Sequence, residues 1–374
     1  MTYGPRWGRI PRRGRTPRPR LGRPRPRRPR SRRLRLVLGS LAVVLLLAVG
    51  GAAAYTWHRL NHNINSVELG SLLTPEASAT SDLNILVVGS DSRAGKNATR
   101  AGGGVDIGRS DTTLLLHVYG GRRKAAFVSI PRDTIVNRPA CTTASGQKLP
   151  AREGVMFNSV YETGGAPCTV AAVEALSGGL RVNHYVEVGF NGFAELMDAV
   201  GGTDITLAKA IDDKDSGLHL PPGKHHLSGQ QSLDLVRTRH GVGNGSDLGR
   251  IQLQHQFLTV LLGKLAGQNL LADPGRLFTV ADAATKSLTT DSSLARVDSL
   301  ASLAYSMKGL GARDVQMVTL PAQLEQGDED RLVPDAVKVA KVWAALKGDR
   351  PVPEDALTGT ASGPNGIGQI VQPG

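Results

Sequence analysis

Asn84-Ile85-Leu86-Val87-Val88, followed at once by Gly89-Ser90-Asp91-Ser92-Arg93, is the stretch on which the fold turns. Its apolar run is short and continuous, as expected of a strand buried on both faces. A glycine and a cluster of small polar and charged residues then stop it. α/β folds place their ligands at such strand ends.

The same grammar recurs outward from this point. Thr112-Thr113-Leu114-Leu115-Leu116 and Ala125-Ala126-Phe127-Val128-Ser129-Ile130 are two further buried-strand runs. Helical periodicity follows at Thr169–Leu180, Phe190–Val200, Ser228–Leu235, Leu248–Leu265 and Leu277–Leu288. Gly201-Gly202 stops the second of these helices, and Thr203–Leu207 reads as a strand. Strands alternating with helices predict an α/β sandwich, a central sheet flanked by helices.

Charge and hydropathy divide the rest of the chain. Of 45 Lys and Arg residues, 15 arginines fall within residues 1–35, which contain no Asp or Glu. The remaining 30 face 32 acidic residues, so the net charge of +13 belongs to a tail. That Arg/Pro-rich tail has no apolar period and is expected to stay unfolded. It also lacks the helical pattern and aromatic interleaving of a nucleic-acid reader, so no nucleic-acid partner is expected. Residues 36–55 are uncharged and apolar, enough to cross a hydrocarbon core of roughly 30 Å as one transmembrane helix. Gly50-Gly51-Ala52-Ala53-Ala54 could mimic a signal cleavage site, but the apolar run exceeds a signal-peptide core and reads as a retained anchor.

The arginines before the span predict a type II topology, with the larger part outside the membrane. Beside the span they would contact anionic membrane lipids, at about 1 kcal/mol each; an acidic intracellular partner is the alternative. Residues 56–81 are polar, break at Pro75 and read as a stalk. Residues 82–347 form the expected globular domain, and residues 348–374, rich in Gly and Pro, the expected flexible tail. Cys141 and Cys168 are the only cysteines, and an oxidising exterior favours a bridge between them. Closing that loop would contribute roughly 3–4 kcal/mol in the chain-entropy model.

Charged clusters gather where these elements end. Asp91 and Arg93 follow the first strand, Arg109 and Asp111 precede the second, and Pro131-Arg132-Asp133 follows the third. Arg237-Thr238-Arg239 and Asp247-Leu248-Gly249-Arg250 come later, with Gln254 one helical turn on. Two carboxylates beside buried strands repel unless a cation or proton intervenes, and Mg²⁺ takes one or two carboxylates plus water and phosphate oxygens. Arg237 and Arg239 alternate as strand residues would, and Arg250 and Gln254 share a helix face. Guanidiniums aimed at one place need a multivalent anion, and their forks match phosphate. The plain alternative is a turn-capping Asp91, an Asp111–Arg109 pair and a solvated Arg/Asp surface network.

In this order, Gly89-Ser90-Asp91-Ser92-Arg93, Arg109-Ser110-Asp111-Thr112, Ser129-Ile130-Pro131-Arg132-Asp133 and Arg237-x-Arg239 with Asp247-Leu248-Gly249-Arg250 resemble the LytR-CpsA-Psr family. The resemblance extends from Asp82 to Leu265 and takes in Phe157-Asn158, Gly164-Gly165, Val200-Gly201-Gly202 and Leu227-Ser228-Gly229. It implies a phosphotransferase that moves a glycopolymer from a polyprenyl pyrophosphate carrier to a peptidoglycan acceptor, leaving a phosphodiester.

On that resemblance Asp91 and Asp111 would hold Mg²⁺, with Mn²⁺ as a substitute. Arg93, Arg109, Arg132, Arg237, Arg239, Arg250 and Gln254 would surround the pyrophosphate. Asp133 or Asp247 would orient an arginine or accept the acceptor's proton. Val188, Phe190, Phe193 and Leu196 are candidates for a lipid pocket, with ordinary helix-to-sheet core as the alternative. The sequence departs from the family's Arg-Gln-Gln at Leu253-Gln254-His255. Two rivals to this reading remain: a Mg²⁺-dependent pyrophosphatase, and a membrane-bound regulator acting through the tail. Arg122 and Arg123, in a Gly-flanked turn, are expected to be exposed.

Overall fold

The computed structural model describes residues 1, 2, 4, 30–78, 80–91, 110–239, 247–268, 272–325, 327–360 and 369–374. Residues 5–29, the bulk of the arginine-rich tail, lie outside the described residues, as do Arg93 and Arg109. The chain divides into two units, 1–54 and 55–374.

The described residues of the first unit are mostly helical. α1 (Arg30–Asn63) carries a 26-residue stretch, Leu38–Asn63, long and apolar enough to cross a membrane. Leu41, Val44, Leu46 and Leu47 are all exposed, so this stretch has no protein core of its own. The helix continues eight residues past the expected end at 55, because residues 56–63 belong structurally to the second unit. There Leu60 is buried, and Arg59 Nε and Nη2 donate to Asp282 at 2.8 and 3.1 Å.

The second unit is built on a seven-stranded mixed sheet. The chain contributes β1 (Asn65–Val67), β2 (Leu83–Ser90), β3 (Ser110–Val118) and β4 (Ala125–Ile130). An excursion follows through β5 (Ile135–Arg138), β6 (Cys141–Thr142), β7 (Lys148–Leu149) and β8 (Arg152–Met156) to α2 (Phe157–Leu176). Next come β9 (His184–Gly189), α3 (Phe190–Ala199), β10 (Thr203–Leu207), β11 (Ile211–Asp213), β12 (Leu218–Leu220), β13 (Gly223–Leu227) and α4 (Gly229–Arg237). α5 (Asp247–Gly267), α6 (Pro274–Ser287), β14 (Leu288–Asp291), α7 (Val297–Ser306) and β15 (Val315–Thr319) complete the frame. The C-terminal part adds β16 (Ala322–Glu325), β17 (Asp328–Pro334), α8 (Ala336–Lys347), α9 (Glu354–Leu357) and β18 (Val371–Pro373).

The large sheet has the order β1-β14-β9-β2-β3-β4-β15. β2 sits at its centre, as its unbroken apolar run requires, between parallel β9 and antiparallel β3. One core packs α2 and α8 against the sheet through Leu86, Val88, Leu115, Val128, Phe157, Val173 and Trp343. A second, smaller core joins α3, α4 and α5 to a three-stranded sheet, β13-β10-β18, through Met197, Ile205, Leu227, Leu235, Leu253 and Phe257. Cys141 and Cys168 are joined by a disulfide that fastens the excursion to α2.

Several expectations need correction. The stalk of residues 56–81 is part of the folded body. β1 pairs with β14, and Leu69 is buried in the main core. The tail of residues 348–374 is likewise anchored: Val352, Ala356 and Leu357 enter the main core, and Ile370 and Val371 the second. Short apolar anchors spaced by Gly and Pro look like linker until tertiary pairing supplies their partners. α2 begins 12 residues before the expected Thr169, because Gly165 (φ +62) and Pro167 kink it without ending it. Leu288 begins a strand rather than ending a helix. Arg122 is buried, donating to Glu76 at 2.8 Å and to Ser306 at 2.9 Å, so only Arg123 of that pair is exposed.

The anchored C-terminus makes a prediction. Gln256 Oε1 accepts from the backbone N–H of Ile370 and Val371, at 2.8 and 2.6 Å, and β18 pairs with β10. Ending the chain after residue 368 should lower unfolding free energy by on the order of 3 kcal/mol, from two lost buried aliphatic side chains. Denaturant unfolding monitored by circular dichroism measures this, and an unchanged midpoint would mean the segment is a loose tail after all.

Candidate active site

The site forms where β2 ends and β3 begins. Along the β2–β3 ladder Gly89 faces Thr112, but Ser90 faces Ser110, so the register slips and Asp111 has no partner across the strands. Such a bulge bends the strand and re-aims a side chain, which here turns Asp111 toward a cavity. A Cβ on Gly89 would sit 3.3 Å from that of Thr112, tighter than most real contacts, which explains the glycine beside the slip.

Asp91, Asp111, Thr112, Arg132, Arg237, Arg239, Arg250 and Gln254 all line one cavity of about 650 Å³. They arrive from the ends of β2, β3, β4 and α4 and from the first turns of α5. Arg132 follows β4 past Pro131 and donates from Nη1 to Asp111 Oδ1 at 2.9 Å. Arg250 and Gln254 lie one turn apart on α5. Arg250 Nη2 donates to Asp111 O at 3.1 Å, and Gln254 Nε2 donates to Thr112 Oγ1 at 3.2 Å and Val236 O at 2.8 Å.

Arg237 and Arg239 do not alternate on a strand. Arg237 is the last residue of α4, Thr238 caps that helix, and Arg239 continues into the chain beyond it. The helix begins with a capping box: Ser228 Oγ accepts from Gln231 N–H at 3.3 Å while Gln231 Oε1 accepts from Ser228 N–H at 3.0 Å. Gly229 lets α4 approach α3, since a Cβ there would lie 1.9 Å from Ala194 O. The cap and this close approach fix where α4 ends, and so where its arginine emerges. The Arg237 guanidinium lies over the Phe190 ring, 5.1 Å from its centroid.

Asp133 and Asp247 stand apart from the residues lining the large cavity and pair with the arginines. Asp247 is buried and forms an ion pair with Arg250 Nη2, though without hydrogen-bond geometry at either oxygen. It also lies 3.9 Å from Arg132 Nε, as Asp133 does at 3.4 Å. Burial raises the Asp133 carboxyl above its usual range, and the charge of Asp247 adds to this while Arg132 opposes it. For Arg132 burial acts to lower the pKa, but Asp133, Asp247 and Asp111 together carry it upward. Arg250, only 3% exposed, is shifted down, first by burial and further by Arg132 and Arg239, with Asp247 and Asp111 opposing. It remains a cation, as arginine does in proteins. Nε of Arg239 and of Arg250 are buried without a hydrogen-bond partner. Crowded cations with unspent donors are matched by an anion of several charges.

The carboxylates fit a divalent ion in number. Asp91 is exposed on the cavity wall, and Arg132 holds one oxygen of Asp111. Two such groups with water and phosphate oxygens suit Mg²⁺, although no cluster of three or more His, Cys, Asp or Glu suited to a metal occurs among the described residues. Of the apolar candidates, Phe190 lines the cavity. Phe193 and Leu196 pack against the second core, as helix-to-sheet core would, and Val188 is half-buried in β9. Leu253 is fully buried in that second core, so it takes no part in ligand contact where the family pattern has arginine.

Glu162 from α2 and Asp215-Ser216 from the β11–β12 turn also line the cavity. Neither lies beside a strand end recognisable from sequence. The Phe157-Asn158 and Gly164-Gly165 motifs lie on either side of Glu162 in α2. The start of this helix is tied to the third cluster by Asn158 N–H donating to Arg132 O at 2.9 Å.

His255, one residue past Gln254, is buried with Nε2 2.6 Å from Ser129 Oγ, and burial lowers its pKa to about 4 from 6.5. Between those values the unfolded chain binds a proton that the native state refuses, so stability rises with pH across the window. The contribution, on the order of 3 kcal/mol, is complete above pH 6.5 and is lost as pH falls through 4. His255→Gln should remove that part of the pH dependence while keeping a polar partner for Ser129. Unfolding free energies of parent and variant that change in parallel from pH 6.5 to 4 would contradict it.

A family model described as LytR_cpsA_psr matches residues 52–348. The cell wall biosynthesis protein LcpA of Corynebacterium glutamicum is 32% identical over 271 residues, covering 66% of this chain and 51% of that protein. A polyisoprenyl-teichoic acid–peptidoglycan teichoic acid transferase, TagU of Oceanobacillus iheyensis, is 27% identical over 253 residues, 65% of this chain and 73% of that one. The chain spans about half the length of the first curated relatives it matches, 51% and 53%. Among solved structures, Bacillus subtilis TagV superposes with a TM-score of 0.57 at 24% identity, covering 72% of this chain and 97% of that chain. At that identity the likeness establishes the shared fold.

Proposed function

The chain belongs to the LytR-CpsA-Psr family, and from that premise we propose that it transfers a glycopolymer from a polyprenyl diphosphate carrier to a hydroxyl of peptidoglycan. The observation that carries this reading is the convergence of Arg132, Arg237, Arg239 and Arg250 on a cavity that also presents Asp91 and Asp111. A relative named as a polyisoprenyl-teichoic acid–peptidoglycan transferase supports the same substrate class.

In the proposed reaction the acceptor oxygen bonds to the phosphorus that carries the polymer. The bond from that phosphorus to the bridging oxygen breaks, polyprenyl phosphate leaves, and the hydroxyl proton is released. The product is a phosphodiester. Phosphoryl transfer of this kind depends on positioning and charge neutralisation more than on covalent help from the protein. Arg132, Arg237, Arg239 and Arg250 would bind the diphosphate oxygens and stabilise the charge that builds on the leaving phosphate. Asp133 and Asp247 would orient Arg132 and Arg250 rather than touch the substrate, in keeping with their place behind those side chains. Asp91 and Asp111 would hold Mg²⁺, or Mn²⁺ in its place, which when bound supplies further neutralisation of phosphate charge.

Phe190 would meet the first apolar part of the carrier, beside Arg237. We further propose a type II orientation, with residues 55–374 outside the membrane and the arginine-rich tail against anionic lipid. Tethering would then hold the site at high effective concentration relative to a lipid-borne donor.

Transfer of a labelled glycan from a polyprenyl diphosphate donor, with Mg²⁺ present, tests the assignment. Asp91→Ala and Asp111→Ala should each reduce transfer by roughly a hundredfold or more, in the range of lost transition-state electrostatics. Arg239→Ala should weaken donor binding, and Arg239→Lys should restore only part because the planar fork is gone. Arg123→Ala, at an exposed turn, should stay within about twofold of the parent. Folded Asp111 and Arg239 variants that transfer at the parent's rate would rule the site out.

A further inference from the structure

The β11–β12 turn lies outside every motif read from the sequence, yet it forms one wall of the cavity through Asp215 and Ser216. Behind the turn stands Asp213, the last residue of β11, with 0% of its surface exposed. Strand alternation puts it there: Ile211 and Asp213 point inward while Asp212 is exposed. Its Oδ1 accepts from the backbone N–H of Asp215 at 2.9 Å and of Ser216 at 3.3 Å. Its Oδ2 accepts from the backbone N–H of Arg239 at 2.6 Å. A second link runs alongside, Ser216 Oγ to Thr238 Oγ1 at 3.0 Å.

One buried carboxylate therefore joins two segments that are remote in sequence, the turn at residues 214–217 and the arginine segment at residues 237–239. Arg239 needs such a partner. It lies past the end of α4, where Thr238 has already left helical geometry, so no ladder holds its backbone. Charge-assisted bonds to backbone N–H groups are short, strong and directional, and a buried carboxylate is costly to leave unsatisfied. Either segment moving alone would strand part of that charge.

We infer that Asp213 is a positioning residue, which fixes the backbone of Arg239 and couples it to the Asp215-Ser216 wall so that the guanidinium faces the diphosphate. Asp213 touches no substrate and acts through Arg239. The inference rests on the diphosphate reading of the cavity, and its test is arranged to separate the two.

Binding of inorganic pyrophosphate with Mg²⁺ is measured by calorimetry on the full chain, in a double-mutant cycle of Asp213→Asn and Arg239→Ala. Asparagine keeps the shape and one acceptor but cannot satisfy both segments. Asp213→Asn should weaken binding by roughly tenfold in the parent, about 1.4 kcal/mol, and by less than about twofold when Arg239 is already alanine. A merely structural role would give equal losses in both backgrounds, and that result would overturn the inference. If Asp213→Asn does not fold, hydrogen exchange on the parent decides the matter. Pyrophosphate should then slow exchange at the Asp215, Ser216 and Arg239 amides together, and slowing at Arg239 without the turn would overturn the coupling. A folded parent that binds no pyrophosphate would instead refute the functional reading, since Asp213 is not needed for that conclusion.

Discussion

Holding several guanidiniums close together in a partly buried place is the constraint on which the structure depends. Each cation loses water and feels the others: burial, Arg132 and Arg239 all push the pKa of Arg250 down. The protein meets this with carboxylates set behind the arginines. Asp247 serves Arg250 and Arg132, Asp133 serves Arg132, and Asp213 holds the backbone of Arg239. These counter-charges make the cluster tolerable in the free protein without covering the face turned to the cavity. Buried Nε groups without partners on Arg239 and Arg250 mark where compensation stops.

The sheet exists in a form that makes this placement possible. A central strand buried on both faces is rigid, and its end, with the slip that frees Asp111, is a fixed point in space. β4 delivers Arg132 next to it. α4 and α5, set on the second core, bring the other arginines from the opposite side. Two cores therefore meet at one cavity, and rigidity in both is what keeps long arginine side chains in one geometry.

Much of this was legible in the sequence, for identifiable reasons. The runs at Leu86, Leu115 and Val128 carry their own signal, because continuous apolar segments bounded by Gly or Pro have few other readings. Clusters such as Ser129-Ile130-Pro131-Arg132-Asp133 sit against those runs, so their location at strand ends followed. The sequence places the arginines of α4 and α5 at the site, but Arg237 and Arg239 read as alternating strand residues, since three residues cannot distinguish alternation from a helix end.

What stayed hidden depends on partners remote in sequence. Nothing local to Asp213 or Asp215 distinguishes them from neighbouring turn residues, and their roles appear only when Arg239 arrives beside them. Val67 and Leu69 are single apolar residues in polar surroundings and Ile370-Val371 is an isolated apolar pair, and only pairing of β1 with β14 and of β18 with β10 gives them a core to enter. The same holds for Arg122, which looks exposed until Glu76 and Ser306 close over it.

On the proposed reading, the arginine cavity moves a phosphoryl-linked polymer to a hydroxyl rather than to water. The most direct measurement is phosphorus NMR of the products formed by the full chain in lipid vesicles, with Mg²⁺, a polyprenyl diphosphate glycan and peptidoglycan. The account predicts a phosphodiester resonance on the peptidoglycan that grows in step with polyprenyl monophosphate. Polymer phosphate monoester released into solution, with no diester at any acceptor concentration, would contradict it and identify the protein as a pyrophosphatase.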